Sequence, residues 1–312
     1  MKRIIFSIYN EIPDSHLENN NPYAGDTMPK SMRTKLEYKK NFDILKKVKD
    51  TYAEDCEADF KLFLANDDPK NDLFNLFKEK FGMHFGMNRK DFDIMNFYKL
   101  FLFEQMARYY DEVVYLDFDV VPNTHYSIFR HLDFTRINAL AINANKKNIW
   151  SIGDLKTHDR NKSDFGEIVS KFDKQSMYCK MMAKRAMLMT HNITGTEDII
   201  NTGILAGNSK AILDMKLFDD FVFKVDTLIQ AKEEQMFGKE LTNKFFLNNE
   251  VFFTFHLEYK NIPYHKLKPE WHFMLLSGHL APNKEDMSKA HLLHVIDKNF
   301  ERVFKLCGIQ QN

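Results

Sequence analysis

Residues 3–8 (RIIFSI) form a short apolar run that predicts a buried first strand, because side chains of this kind on both faces need cover on both faces. A polar loop through Asn19-Asn20-Asn21-Pro22 comes next. Leu36, Phe42, Leu45 and Val48 then share one approximate face of a helix predicted over 31–52. DFKLFLA (59–65) reads as a second strand, stopped by Asn66-Asp67-Asp68-Pro69. Phe97, Leu100, Phe101 and Ala107 recur at helical spacing over 91–109. A third strand is predicted at 112–117, a fourth at 137–143 (INALAIN), and a later one at 199–206 (IINTGILA), interrupted by Asn-Thr-Gly. Residues 209–240 read as helical, whereas 245–256 are apolar and mixed. Phe300, Val303, Phe304 and Cys307 stand at i, i+3, i+4 and i+7, which predicts a packing helix within 297–312. Residues 144–196 are polar and then Met-rich, with no strand pattern, and are expected to form a helical insertion or a lid.

Strand, helix, strand, helix, strand predicts an α/β fold with a mostly parallel sheet between helices. Such sheets bind ligands beyond the carboxyl ends of their strands. Attention therefore falls on the end of the first strand, on 117–119, and on the residues after the later strands.

Composition narrows the chemistry. The chain has 312 residues, enough for one large domain or two ordinary ones. Forty-four basic residues balance 44 acidic ones, and the isoelectric point is about 7.2. That balance speaks against nucleic acid or an anionic membrane as a main partner, since both demand a basic excess. Glycine is scarce, 11 residues, which argues against a Gly-rich phosphate cradle. Cys56, Cys179 and Cys307 lie far apart, without metal-ligand spacing, and read as reduced thiols. The first apolar run is too short for a signal peptide, and no stretch is long enough to span a membrane. The expectation is a cytoplasmic protein, in which the sequons at Asn161 and Asn192 stay inert.

Asp117-Phe118-Asp119 comes directly after the apolar Val113-Val114-Tyr115-Leu116. Two carboxylates one residue apart are expected on the same side of an extended chain. There they can meet one divalent cation, Mn²⁺ or Mg²⁺, or remain two solvated turn acids.

YLDFDVVPN resembles the DxD strand end of nucleotide-sugar-dependent glycosyltransferases with the GT-A fold, near the glycogenin and bacterial galactosyltransferase group. RIIFSIYN resembles that family's first nucleotide-binding strand. DIMNFYKLFLFEQ resembles its helix before the DxD strand, where Lys99 would face the donor sugar. Asn201-Thr202-Gly203 resembles its N-[AST]-G strand, and LKPEWHF its Leu-Pro…Trp-Asn segment. Asn248-Asn249-Glu250 stands where the group has an acidic-Gln-acidic stretch. Of the usual His-x-x-Gly-x-x-Lys-Pro-Trp ending, His294 and Lys298 remain, at closer spacing.

The resemblance implies a single GT-A domain over 1–312, with a Rossmann-like mixed sheet. It implies sugar transfer from a nucleoside diphosphate, UDP by preference, to a hydroxyl of a glycan, protein or small molecule, with retention of configuration. Asp117, Asp119 and His294 would hold Mn²⁺ or Mg²⁺. Ser7, Ile8, Tyr9, Lys99, Asp117, Phe118, Asn201, Thr202, Gly203 and Lys298 would bind the donor. Asn249 would orient the sugar, and Glu250 would act as nucleophile, oxocarbenium stabiliser or base. Lys298 would pair with the diphosphate as a point charge.

Each residue also has a plain alternative: a core histidine for His294, a snorkelling lysine for Lys99, a solvated helix-start acid for Glu250. Two other functions compete. One is a GT-A-like domain that binds without catalysis. The other is a haloacid dehalogenase-type phosphatase with Asp117 as nucleophile, whose second acidic motif would be Gly153-Asp154 and Asp159.

Overall fold

Strand β1 (Arg3–Tyr9) sends alternate side chains into two cores. Ile5 joins Val114 and Leu116 on one face, while Phe6 packs on Phe63 and Tyr115 on the other. The computed structural model describes residues 1–12, 14, 17, 27–65, 71–82, 91–143, 176–233, 248–275 and 284–309. Strand β1 pairs in parallel with β2 (Asp59–Leu64) and β3 (Glu112–Leu116), placing Ile5 between Phe60 and Val114. On the other side of β3 runs β6 (Asp198–Asn208), antiparallel to it, with Leu205 opposite Tyr115. With β5 (Ile137–Asn143) and β7 (Tyr264–Lys266) the order is β2-β1-β3-β6-β5-β7. The mixed α/β sheet between helices, with β2, β1 and β3 parallel, is as expected. A second sheet was not foreseen: β4 (Val120–Pro122), β8 (Phe273–Leu275) and β9 (Leu292–Val295), in the order β4-β9-β8. Strands of three or four residues carry too little pattern to be read.

The chain groups into two compact units. The first comprises Met1–Asn138, Gly203–Asp214 and His265–Asn312; the second comprises Ala139–Thr202 and Met215–Tyr264.

In the first unit, helix α1 (Lys30–Asp55) packs on β1, β2 and β4. It runs past the predicted end because Tyr52 and Ala53 bury themselves against the core of Ile5 and Val114. Helix α2 (Asp72–Phe81) sets Phe74 and Phe77 against Tyr98 of α3 (Asp91–Met106), which packs on β1 and β3. Between sheet and α2, helix α3 is covered all round: Phe97, Tyr98, Leu100, Phe101, Leu102 and Phe103 are all buried. The short α4 (Ile128–His131) adds Ile128 and Phe129 to the same core as Ile5.

In the second unit, α5 (Ser176–Met189) is the described helix of the expected insertion or lid, followed by 190–196; 144–175 lie outside the described residues, as do Gly153, Asp154 and Asp159. Among the described residues, the helix predicted over 209–240 is two, α6 (Ser209–Met215) and α7 (Phe221–Glu233); 234–240 lie outside them. The break comes from long-range bonding. Met215 O is taken by buried His256, Leu217 O by buried Lys224, and Lys216 between them adopts φ 52°. The mixed stretch at 245–256 resolves as α8 (Asn249–Tyr259), capped by Asn248, whose side chain accepts from Glu250 N (3.0 Å) and Val251 N (3.2 Å). Every residue of 249–257 is buried, so no polar face betrays its period.

The C-terminal packing helix is α10 (Phe300–Cys307), after a short α9 (Lys284–Lys289). It starts at Phe300 rather than 297 because Asn299 caps it and Lys298 closes a turn onto Val295 O at 3.1 Å. No helix among the described residues is long and apolar enough to cross a membrane.

Gly195, after α5, has φ +67°, and a methyl group there would lie 2.3 Å from Leu188 Cδ1 and 2.6 Å from Glu258 Oε2. Gly195→Ala is expected to lose about 2 kcal/mol through strain and crowding, read by urea unfolding.

Candidate functional site

The acidic pair is presented by a turn, not by the extended chain that its spacing suggested. Strand β3 ends at Leu116; Asp117 N then donates to Gly203 O at 2.7 Å, and Val120 N closes back on Asp117 O at 2.9 Å. The turn is needed because β4 must start at Val120 to pair with β9, in a register that sets Val120 opposite His294. Val295 N donates to Asp119 O at 2.9 Å and fixes the turn to β9. One ligand atom each of Asp117, Asp119 and His294 then lie within 4.8 Å of one another. His294 Nε2 is 3.7 Å from Asp117 Oδ2 and 3.4 Å from Asp119 Oδ1.

Two lysines and a tyrosine surround the acids. Lys99 Nζ lies 3.1 Å from Asp117 Oδ1, and Tyr115 donates its hydroxyl to the same oxygen. Lys298 donates to Asp119 Oδ2. Burial would push the Asp119 carboxyl up, but Lys298 and His294 more than offset it and hold it below the ordinary carboxylate range. Burial first, then Asp117, pushes the Tyr115 phenol well up, so it stays a donor. Lys298 adopts φ +59°, an uncommon conformation for a residue with a Cβ, and is 7% exposed. Backbone strain of this kind, held by the β9 turn, is characteristic of functional sites.

Phe118, between the acids, packs its ring on Tyr9 (5.0 Å) and Tyr38 (5.3 Å). Its carbonyl accepts from Lys49 Nζ at 2.8 Å. Lys49 is fully buried, and burial lowers its amine to about 7. Sequence reasoning missed it, although a lysine four residues after Leu45 on the apolar face of a helix was a usable signal. Ser7 is buried and donates to Leu116 O at 2.7 Å, and Ile8 is buried beside it. Tyr9 opens onto a cavity of about 470 Å³ with Glu11, Ile12, Lys35 and Leu64, beyond the carboxyl ends of β1 and β2. A larger groove, about 700 Å³, runs along α1 past Lys40, Lys47 and His125 and contains none of the clustered acids.

A further histidine, His272, is fully buried beside His294. Its Nε2 is 2.9 Å from His294 Nδ1, and burial, with His294 and Lys99, pushes its ring well below the ordinary histidine range.

The second unit gathers the other expected residues. Asn201 Nδ2 donates to Glu250 Oε1 at 2.9 Å, and Asn249 Nδ2 donates to Thr202 Oγ1 at 2.6 Å. Lys180 of α5 pairs with the remaining Glu250 oxygen. Glu250 is thus a buried, paired acid and not the solvated helix-start group of the plain alternative. Lys180 was not foreseen; nothing in its Met-rich surroundings distinguishes it.

A divalent cation fits the first group by the chemistry of its donors. Two carboxylate oxygens and one imidazole nitrogen suit Mn²⁺ or Mg²⁺ and leave positions for phosphate oxygens or water.

No protein-family model matches the chain, and no curated protein matches it. Among solved structures it is similar to a glycosyltransferase involved in glycosylation of the major capsid of PBCV-1, at 10% identity and TM-score 0.38 over 97% of this chain and 100% of that one. It is also similar to the galactosyltransferase LgtC in complex with donor and acceptor sugar analogues, at 13% identity and TM-score 0.41 over 99% and 96%. Mouse xyloside xylosyltransferase 1 is similar at 10% identity and TM-score 0.43 over 95% and 98%.

Proposed function

We propose that this chain is a GT-A glycosyltransferase that moves a sugar from a nucleoside diphosphate, UDP by preference, to a hydroxyl of a glycan, protein or small molecule. The observation that carries the reading is the convergence of Asp117, Asp119 and His294, three residues singled out by motif, onto one small volume. These three would hold Mn²⁺ or Mg²⁺. The bound ion supplies charge neutralisation to the departing diphosphate. Lys298 supplies a further positive charge from a fixed backbone turn, which needs no reorganisation when the diphosphate's charge develops. Lys99 and Tyr115 orient Asp117 from the side of α3. We assign Ser7, Ile8, Tyr9 and Phe118 to shaping the nucleotide site, with the cavity beside Tyr9 supporting this assignment.

We assign Asn201, Thr202, Asn249 and Glu250 to the donor sugar. Both Glu250 oxygens already accept bonds. That supports a charge-bearing, sugar-orienting role over that of a free base, and retention of configuration remains the expected outcome from the family resemblance. Glu250→Gln is expected to lower kcat for sugar transfer about 100-fold while nucleotide affinity holds, measured by steady-state kinetics and calorimetry.

A thermal-shift screen of UDP-, GDP- and dTDP-sugars with and without Mn²⁺ tests the assignment. A donor at 100 times its Kd stabilises the folded chain by about 2.7 kcal/mol. One nucleotide should therefore raise the melting temperature, only with the metal, and its sugar should be slowly hydrolysed. A screen in which no nucleotide sugar shifts the transition or is turned over sinks the enzyme reading.

A further inference from the structure

Resting on the metal reading of Asp117, Asp119 and His294, we propose that His272 is the positioning residue that holds His294 in the ligand orientation and sets the affinity of the centre for its cation.

Strand register brings the two rings together. Strands β8 and β9 are parallel, with Met274 opposite His294. His272 stands two residues before Met274, so it shares the sheet face of His294 and lies diagonal to it. The 3-10 turn Pro269–Trp271 ends on His272, whose N–H returns to Pro269 O at 3.2 Å. The ring is therefore aimed by its backbone, and at 1% exposure it has no room to rotate into solvent.

Hydrogen bonding then assigns its task. His294 uses Nε2 toward the two acids, so only Nδ1 is left to fix the ring. Nδ1 meets His272 Nε2 at 2.9 Å. When Nε2 of His294 presents a lone pair to a cation, Nδ1 carries the proton and donates it into His272 Nε2. His272 Nδ1, in turn, is buried with no hydrogen-bond partner among the described residues. A buried ring with one nitrogen unsatisfied is a poor choice for packing alone, and an apolar side chain would fill the same space without that cost. Among the described residues, the bond its ring makes is to the candidate ligand. The segment thus departs from the family's Trp-Asn at the position where a longer acceptor reaches His294.

The test is titration with MnCl₂, following free Mn²⁺ by electron paramagnetic resonance, on the full chain and on His272→Leu, His272→Gln and His294→Ala. His272→Leu is expected to weaken Mn²⁺ binding about 10–100-fold, the usual cost of losing a bond to a metal-ligating histidine. His272→Gln, which can place an acceptor near Nε2, should recover much of that affinity. At saturating Mn²⁺ the turnover of His272→Leu should approach that of the parent, because His272 touches no reactant. Mn²⁺ affinity unchanged in a folded His272→Leu overturns the proposal while leaving the metal reading intact. Absence of Mn²⁺ binding in the parent chain overturns the metal reading and the role of His272 with it. If His272→Leu does not fold, the comparison falls to His272→Gln and His272→Asn, whose shorter amide falls short of His294 Nδ1; equal affinities of these two and the parent overturn the proposal.

Discussion

Asp119→Asn should lower kcat/KM for the nucleotide sugar found by thermal shift about 10³-fold, the scale on which losing one preorganised contact to developing charge is felt. Asp119 is 4% exposed and faces both His294 and Lys298, so the substitution removes the charge that both answer to. Asparagine keeps the shape and an acceptor oxygen, so the fold should survive. The loss should not be recovered by raising Mn²⁺, in contrast to that expected of His272→Leu. A neutral substitution also leaves Lys298 as a buried cation without its carboxylate, which costs stability as well as rate. The two effects separate in the double variant Asp119→Asn/Lys298→Met, which should regain melting temperature but not turnover. Asp43→Asn, on the exposed face of α1, serves as the control. Retention of more than about a tenth of parental activity by folded Asp119→Asn would remove the acidic pair from the mechanism.

The second large effect is on stability and lies in the second unit. Lys184 of α5 is 0% exposed and donates to Thr196 O (2.8 Å), Asp198 O (2.8 Å) and Glu258 Oε1 (2.7 Å). Burial lowers its amine below the usual lysine range, and Glu258 opposes that shift. Lys184→Met is expected to cost about 3–5 kcal/mol, because it strands a nearly buried carboxylate and two backbone carbonyls. Urea unfolding of the variant reads the loss directly. Replacing both members, Lys184→Met with Glu258→Leu, should restore most of it, since two apolar side chains leave no uncompensated charge. A loss below about 1 kcal/mol in Lys184→Met would show that the pair is not a structural keystone of this unit. The lowered amine gives the sign of the pH dependence. The unfolded lysine binds its proton more tightly, so the penalty is present at neutral pH and fades as pH rises toward the free value of 10.5.

These two sites differ in how far the sequence foretold them. Strands β1 and β3 were legible because a strand covered on both faces writes itself as an unbroken apolar run. Asp117, Asp119 and His294 were legible as a motif in a remote family pattern, but the motif spoke of an extended chain. The turn that joins the two acids depends on β4 and β9, which are too short to show a period. Lys180 and Lys184 were invisible for another reason, and Lys49 was marked only by its place on the apolar face of α1. A lysine reads as surface unless its partners are known, and those partners lie at carbonyls and carboxylates that only folding brings near. Helix α8 failed for the opposite cause: with 249–257 buried throughout, amphipathic period was absent. His272 lies within the LKPEWHF segment, yet its importance comes from a neighbour on another strand.

The pairing of β4 with β9 has a consequence for biosynthesis. Asp119 and Lys298 meet across 179 residues of chain. A ribosome adding about 5–20 residues per second needs roughly 10–40 s to bridge that gap. Throughout this interval the nascent chain exposes its acidic turn without the strand that completes it, and the long loop must close before its contacts repay the entropy lost. Competence for cation capture is therefore expected to wait for synthesis of β9, and not to come with the first strand to fold.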